Sequence, residues 1–320
     1  MAPKTHLMSH AIGHPAPVAI ETAATSFPFA LTVDVHEEDR PADVSRAARW
    51  LHERGIPATF FVPSALFMHP GFRPHITDLP SLNHEVGSHG HQHDFTEIRA
   101  LMRGTAADLD FLRQSHMLYA ESFGCAPVSF RSPAWCPLGA AAIDFLVALG
   151  YRVDSSATPQ RLPILSSTPY ANTWVSARRS VHELAPGLLE VPTSCLLLPA
   201  ASPTWLTLRR RAASAFLRLL LWEARRSAGR VPCVQLHVSD FVSDAAPPAP
   251  EETLSLRSFL PQVDGGLRFK VFLRERDPQR VFRMTQELIK ALRGQPEARF
   301  VRLRDLDGEL IYRGLRPLRR

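Results

Sequence analysis

The sequence predicts an α/β fold, an irregular β/α barrel of about seven strands. Three observations predict it. Short apolar β-type runs alternate with amphipathic helical stretches, the pattern of parallel strands joined by crossover helices. Polar residues able to do chemistry stand at the ends of several of those strands, where β/α barrels gather their active sites. The chain has 320 residues, 45% hydrophobic and 21% charged, enough to bury one such core as a single domain.

The first strand is expected over residues 29–35, a mostly apolar run with Asp34 near its end. Residues 41–54 follow with Val44, Ala47, Trp50 and Leu51 at helical spacing, and Gly55 closes the helix. The run ATFFV at 58–62 is a second strand, broken by Pro63. Residues 85–88 read as a strand end, 97–122 as one long helix, 127–130 as a strand and 139–149 as a helix with Gly150 beyond it. Val153 and Asp154 open another strand, and residues 188–191 and 231–237 supply two more. A helix over 281–292 leads to a last strand at 300–303.

Residues 1–27 place His6, His10 and His14 among prolines and small polar residues and are expected to form a flexible tail. Residues 28–320 then make one domain, with the Pro-rich stretch 245–252 as a loop inside it.

The formal charge of +6, from 37 Lys and Arg against 31 Asp and Glu, suits anionic partners. No basic stripe interleaved with aromatics runs along the chain, so nucleic acid is not an expected partner. Cys125, Cys136, Cys195 and Cys233 are widely spaced, without a C-x-x-C pair, which argues against both a zinc knuckle and a disulfide scaffold. With no charged-then-apolar leader in residues 1–27, the expected address is the cytoplasm. Residues 204–228 mix Trp205, Phe216, Leu217, Leu219, Leu220, Leu221 and Trp222 with several arginines. Such charges forbid a membrane span. The stretch reads as an outer barrel helix with one face on the sheet, and peripheral contact with an anionic membrane is the second expectation.

The strongest chemical signal is Gly87-Ser88-His89-Gly90-His91-Gln92-His93, directly after a strand. On a helical turn residues four apart face the same way, so His89 and His93 can hold one divalent ion; two surface histidines would show the same spacing. His91 should face elsewhere, solvated or outside the ligand set. Asp34, Arg131, Asp154 and His237 stand at other strand ends, too many capable groups to be core filler.

Taken in order, Thr32 to Glu37 (TVDVHE), Glu85 to His93, Phe130 to Trp135 (FRSPAW), Gly150 to Ser156 (GYRVDSS) and Gln235-Leu236-His237 resemble the five ordered motifs of the polysaccharide deacetylase family, the NodB-homology type. The resemblance spans residues 29–240, and GIPATFF at 55–61 is similar to the family's second strand. It implies a NodB-like barrel and a metal-dependent hydrolase that removes an acetyl or other acyl group from an N-acylated sugar of a polysaccharide or lipid-linked glycan. His89 and His93 would hold a divalent ion, zinc by preference. Asp34 would take a proton from water, His237 would protonate the departing amine, Arg131 would stand beside Asp34 as its counter-charge, and Asp154 would orient a neighbour. Trp135 would offer a face to a sugar ring, or else serve as a core aromatic. Arg131 and Asp154 could equally form a structural ion pair.

The first motif departs from the family's pattern, in which a second acidic residue often supplies the third metal ligand. Val35 follows Asp34 here, and His36, on the same face of the strand as Asp34, is the preferred third ligand, with Glu37, Asp39 or no protein ligand as alternatives. That departure keeps two other functions open: a carbohydrate-binding or membrane-associated module that has lost its chemistry, and a hydrolase of a small non-sugar amide.

Overall fold

The computed structural model describes residues 26–159, residues 177–244 apart from 197, 203, 205–209 and 228, and residues 278–306. The expected tail, apart from its last two residues, and the Pro-rich loop at 245–252 therefore lie outside the described residues.

In chain order the elements are β1 (Phe27–Asp34), α1 (Pro41–His52), β2 (Thr59–Val62), α2 (Arg73–Thr77), β3 (Glu85–Ser88), α3 (Phe95–Arg103), α4 (Asp110–Phe123), β4 (Ser129–Phe130), α5 (Ala140–Ala148), β5 (Val153–Asp154), β6 (His182–Ala185), β7 (Leu188–Glu190), β8 (Cys195–Leu196), β9 (Leu198–Pro199), α6 (Arg210–Arg226), β10 (Cys233–His237), α7 (Pro278–Arg293) and β11 (Ala298–Val301). The main sheet runs β10-β1-β2-β3-β4-β5-β7-β6, and β11 also pairs with β1. All pairings from β10 to β7 are parallel; within this sheet the β6–β7 hairpin, turning at Gly187 with φ 83°, is antiparallel, and β8 and β9 form a separate antiparallel pair. The sheet curls into the irregular β/α barrel expected of the sequence. After β7 the chain turns along the outer edge of β10, where Ser194 N–H donates to Cys233 O and Gln235 N–H to Ala200 O, both at 2.9 Å.

Every residue of β1 is buried, so this strand is covered on both faces, as its nearly unbroken apolar run requires. Ala30 pairs with both Cys233 of β10 and Val301 of β11, which therefore flank β1 on opposite sides. Outside the sheet, Val44, Ala47, Ala48 and Leu51 of α1 join Leu217, Leu220 and Leu221 of α6 and Leu288, Ile289 and Leu292 of α7 in one core with β1 and β2.

The helix expected over 97–122 is two helices. Gly104 leaves α3 in an extended conformation, and Thr105 then caps a short 3-10 turn, Ala106–Leu109, through a reciprocal pairing with Asp108. The Thr-x-x-Asp pattern after a glycine was visible in the sequence, but the continuous apolar periodicity masked it. The last strand also starts earlier than expected and pairs with the first half of β1.

Glu85, at the start of β3, is 1% exposed and its carboxylate accepts hydrogen bonds from Thr59 Oγ1 (2.8 Å), Ser129 Oγ (2.6 Å) and Arg304 N–H (3.0 Å). It ties β2, β4 and the chain beyond β11 together at the end of the barrel away from the strand termini that carry Asp34 and His237. Burial pushes its pKa up, while those three donors pull it down.

Packing between β2 and β3 is close enough to exclude a single methyl. A Cβ built on Gly87 would lie 2.8 Å from the Phe61 ring and 3.3 Å from Ser129 O, and Phe61 is fully buried. Gly87→Ala is expected to destabilise the protein by about 1–3 kcal/mol, seen as a lower denaturant midpoint at unchanged m-value.

Candidate active site

The candidate site gathers at the carboxyl ends of β1, β3, β4 and β10. Side chains alternate along a strand, so Thr32 and Asp34 share the inner face of β1, and Gln235 and His237 that of β10. Register places Asp34 opposite His237. His36 lies two residues past Asp34, in a turn where its N–H donates to Asp39 Oδ2 at 2.8 Å.

His89 and His93 do not sit on a helical turn. They belong to the loop between β3 and α3, in which Gly90 has φ 80° and His93 φ 60°. A spacing of four is met here by a left-handed kink. The loop wraps around the Glu97 carboxylate, which accepts N–H groups from His91 (3.0 Å), Gln92 (2.6 Å) and His93 (3.2 Å). A Cβ on Gly90 would come within 2.6 Å of that carboxylate, which explains a glycine at this point. His91 turns away from its neighbours, as expected, but it is buried and not solvated: its Nδ1 meets Ser64 Oγ at 2.8 Å.

Ligand atoms of His36, His89 and His93 all lie within 4.8 Å of one another, as do those of Asp34, His36 and His237. Ring centroids are 4.7 Å apart for His89 and His93, 4.8 Å for His36 and His93, and 5.3 Å for His36 and His237. His89 Nδ1–H donates to Arg131 O at 2.8 Å, which leaves the lone pair on Nε2. His36 Nε2 is shut off from solvent with no hydrogen-bond partner. A buried, unpartnered imidazole nitrogen beside two others is a donor set that fits a divalent cation. Glu37 is exposed and Asp39 caps the turn, so among the sequence alternatives His36 is the one brought into the cluster.

The electrostatics keep these rings neutral. Burial lowers the pKa of His36 well below the usual value, and the neighbouring His237, His93 and His89 lower it further. Burial followed by His93 does the same for His89, and burial lowers His93. Neutral imidazole is the form that ligates metal.

Asp34 is held by one donor on each oxygen: Arg131 Nη1 on Oδ1 at 2.8 Å and Gln235 Nε2 on Oδ2 at 2.9 Å. His237 Nδ1 contacts Ser202 Oγ at 2.9 Å, and the His237 backbone N–H donates to Asp240 Oδ2 at 2.6 Å. Asp154 stands apart from this group. It is buried on β5, accepts from Ser156 Oγ at 2.6 Å, and is in register with Glu190 of β7. Burial raises both carboxyls, and Asp154 raises Glu190 further, so the pair holds a proton between them, while Arg131 draws both down. Trp135 is half-buried on the 3-10 turn Pro133–Trp135, whose Pro133 packs near Gly90. Sequence reasoning missed Glu97 and Glu190, and it gave Gln235 no role of its own within the Gln235-Leu236-His237 motif, though its place two residues before His237 on one strand face was visible.

No sequence-family profile matches the chain, and no curated protein matches it. Solved structures do. A putative polysaccharide deacetylase from Mycobacterium smegmatis superposes with a TM-score of 0.58 at 17% identity, covering 98% of this chain and 99% of that one. The likeness is one of fold. The chitin deacetylase of Colletotrichum lindemuthianum gives a TM-score of 0.46 at 16% identity over 87% of this chain and 86% of its own. A pseudoenzyme of the CE4 family from Bacillus anthracis gives 0.39 at 12% identity over 67% and 56%.

Two outcomes follow from this geometry. Glu97→Gln leaves one acceptor where two oxygens served three N–H groups, so the loop should loosen and the affinity for Co2+, read by its visible absorption, should fall about 10–100-fold with the global melt little changed. Glu190→Gln replaces a proton that the folded protein keeps and the unfolded chain releases above the ordinary Glu pKa. Wild-type stability is therefore lost as pH rises from there towards the raised folded pKa, and the variant should gain relative to wild type as pH rises above the ordinary Glu range; denaturant midpoints measured across that rise check this.

Proposed function

We propose that this chain is a metal-dependent hydrolase that removes an acetyl or other acyl group from an N-acylated sugar of a polysaccharide or lipid-linked glycan. The observation that carries the reading is the juxtaposition of a three-imidazole cluster with a doubly held carboxylate, Asp34, and a fourth histidine, His237, at one end of a deacetylase-type barrel. Membership of the polysaccharide deacetylase family is part of the same proposal, supported by the ordered motifs and the shared fold.

His36, His89 and His93 would hold the ion, zinc by preference, and a bound ion supplies Lewis acidity for polarising an amide carbonyl. The remaining work falls to the chain. Asp34 accepts the proton of the attacking water, its orientation set by Arg131 on Oδ1 and Gln235 on Oδ2. The water oxygen bonds to the acyl carbon, the C–N bond breaks, and His237 delivers a proton to the departing nitrogen, giving a carboxylic acid and a free amino sugar. Ser202 and Asp240 fix His237 from behind. Asp154 acts at one remove, as the charge on the far side of Arg131, and the half-buried Trp135 is assigned to the sugar ring.

Among the described residues no helix is long and apolar enough to cross a membrane, and the four cysteines form no disulfide. The unpaired cysteines support the proposed cytoplasmic address.

The test is acetate release from N-acetylated oligosaccharides by zinc-loaded protein. Asp34→Asn should keep its metal yet lose activity by about 10²–10⁴-fold. Failure of the fully loaded wild type to release acetate from any such substrate would overturn the assignment.

A further inference from the structure

Five large apolar side chains are strongly exposed among the described residues, and two of them, Leu219 (46%) and Trp222 (47%), stand one turn apart on α6. The opposite face of that helix carries Ala213, Leu217, Leu220, Leu221 and Ala224 into the core. A membrane-bound helix is expected from the sequence to meet lipid through Leu220 and Leu221, and the structure corrects this. The structure turns Leu220 and Leu221 inwards and leaves Leu219 and Trp222 outside.

Arg211, Arg218, Arg225 and Arg226 are exposed alongside them. The guanidinium of Arg226 lies over the Trp222 ring at 4.8 Å, and Arg225 reaches Glu297 at 3.3 Å. The one acid on α6, Glu223, is turned aside between Arg179 (2.6 Å) and Arg230 (2.8 Å), so it does not offset the outward charge. An outward stripe of arginines around an emergent tryptophan and leucine matches a layer that is anionic at its surface and apolar just beneath.

We propose that the outer face of α6 docks on an anionic lipid surface, with Trp222 and Leu219 entering the headgroup boundary and the arginines meeting lipid phosphates. Tryptophan favours that boundary, and each arginine near it contributes about a fivefold gain in binding. A polyanion such as nucleic acid would use the arginines but gives Leu219 nothing to enter. This inference is independent of the catalytic reading, since it involves no residue of the candidate site.

The experiment sediments the full chain with vesicles of phosphatidylcholine alone, and with vesicles in which about one lipid in three is phosphatidylglycerol. Wild type should bind the anionic vesicles at low salt, release as salt rises, and ignore the neutral ones. Leu219→Ser with Trp222→Ser should weaken binding about tenfold, and Arg211→Glu with Arg218→Glu at least about twentyfold, both with an unchanged thermal melt because all four side chains are exposed. Absence of binding to anionic vesicles at low salt, equal binding to neutral ones, or an apolar double variant that binds like wild type would each overturn the proposal; the last would mark a purely electrostatic polyanion surface.

Discussion

Arg131 carries its charge where no water reaches, and the site depends on how that charge is accommodated. Each of its five N–H groups has an acceptor: Ser155 O for Nε, Thr32 Oγ1 and Asp34 Oδ1 for Nη1, Ser155 Oγ and, at 4.0 Å, Cys233 Sγ for Nη2. The two hydroxyls pass the connection on, Thr32 Oγ1 donating to Val234 O and Ser155 Oγ to Val191 O. One side chain thus joins β1, β10 and the chain following β4, β5 and β7, with the Phe61 ring of β2 against it at 4.3 Å. The desolvation of such an ion is repaid only when geometry and counter-charge are complete. Asp34 supplies one counter-charge and the single charge of the Asp154 and Glu190 pair supplies another, which is why two acids so deeply buried share a proton instead of both ionising.

Next to this charged knot lies a cluster that must stay uncharged. Three imidazoles, His36, His89 and His93, would repel strongly if protonated, and burial settles the matter by lowering the pKa of each. Histidine rather than a carboxylate at position 36 changes the charge of the whole assembly: Asp34 is the buried acid beside the cluster, and each of its oxygens accepts from a protein donor. That division of labour, three neutral rings on one side and one tethered carboxylate on the other, distinguishes this first motif from one with paired acids.

The alternation of apolar runs and helices was readable because parallel strands covered on both faces leave no polar interruptions, as β1 shows. Strand-end residues were readable for the same reason: Asp34 and His237 are conspicuous against apolar neighbours. Loops were less so. A gap of four between His89 and His93 suits a helix and also suits a kink at Gly90, and only the Glu97 carboxylate decides between them. Glu190 could not be recognised because its role depends on the register of β7 against β5, a relation of residues far apart in sequence. On α6 the apolar run Leu219 to Trp222 covers more than half the circumference, so composition could not say which side faces the core.

The position of β1 in the sheet has a consequence for how the protein is made. Among the described strands it is the first to leave the ribosome, yet the same residue, Ala30, must pair with Cys233 on one edge and Val301 on the other. At ordinary synthesis rates the strand waits roughly ten seconds to a minute for those partners, with its apolar faces and ladder groups uncovered. Among the described strands, the eight-residue segment that organises the finished barrel thus waits long for its partners during biogenesis, and the burden of keeping the nascent chain soluble falls on whatever shields FPFALTVD until β10 and β11 arrive.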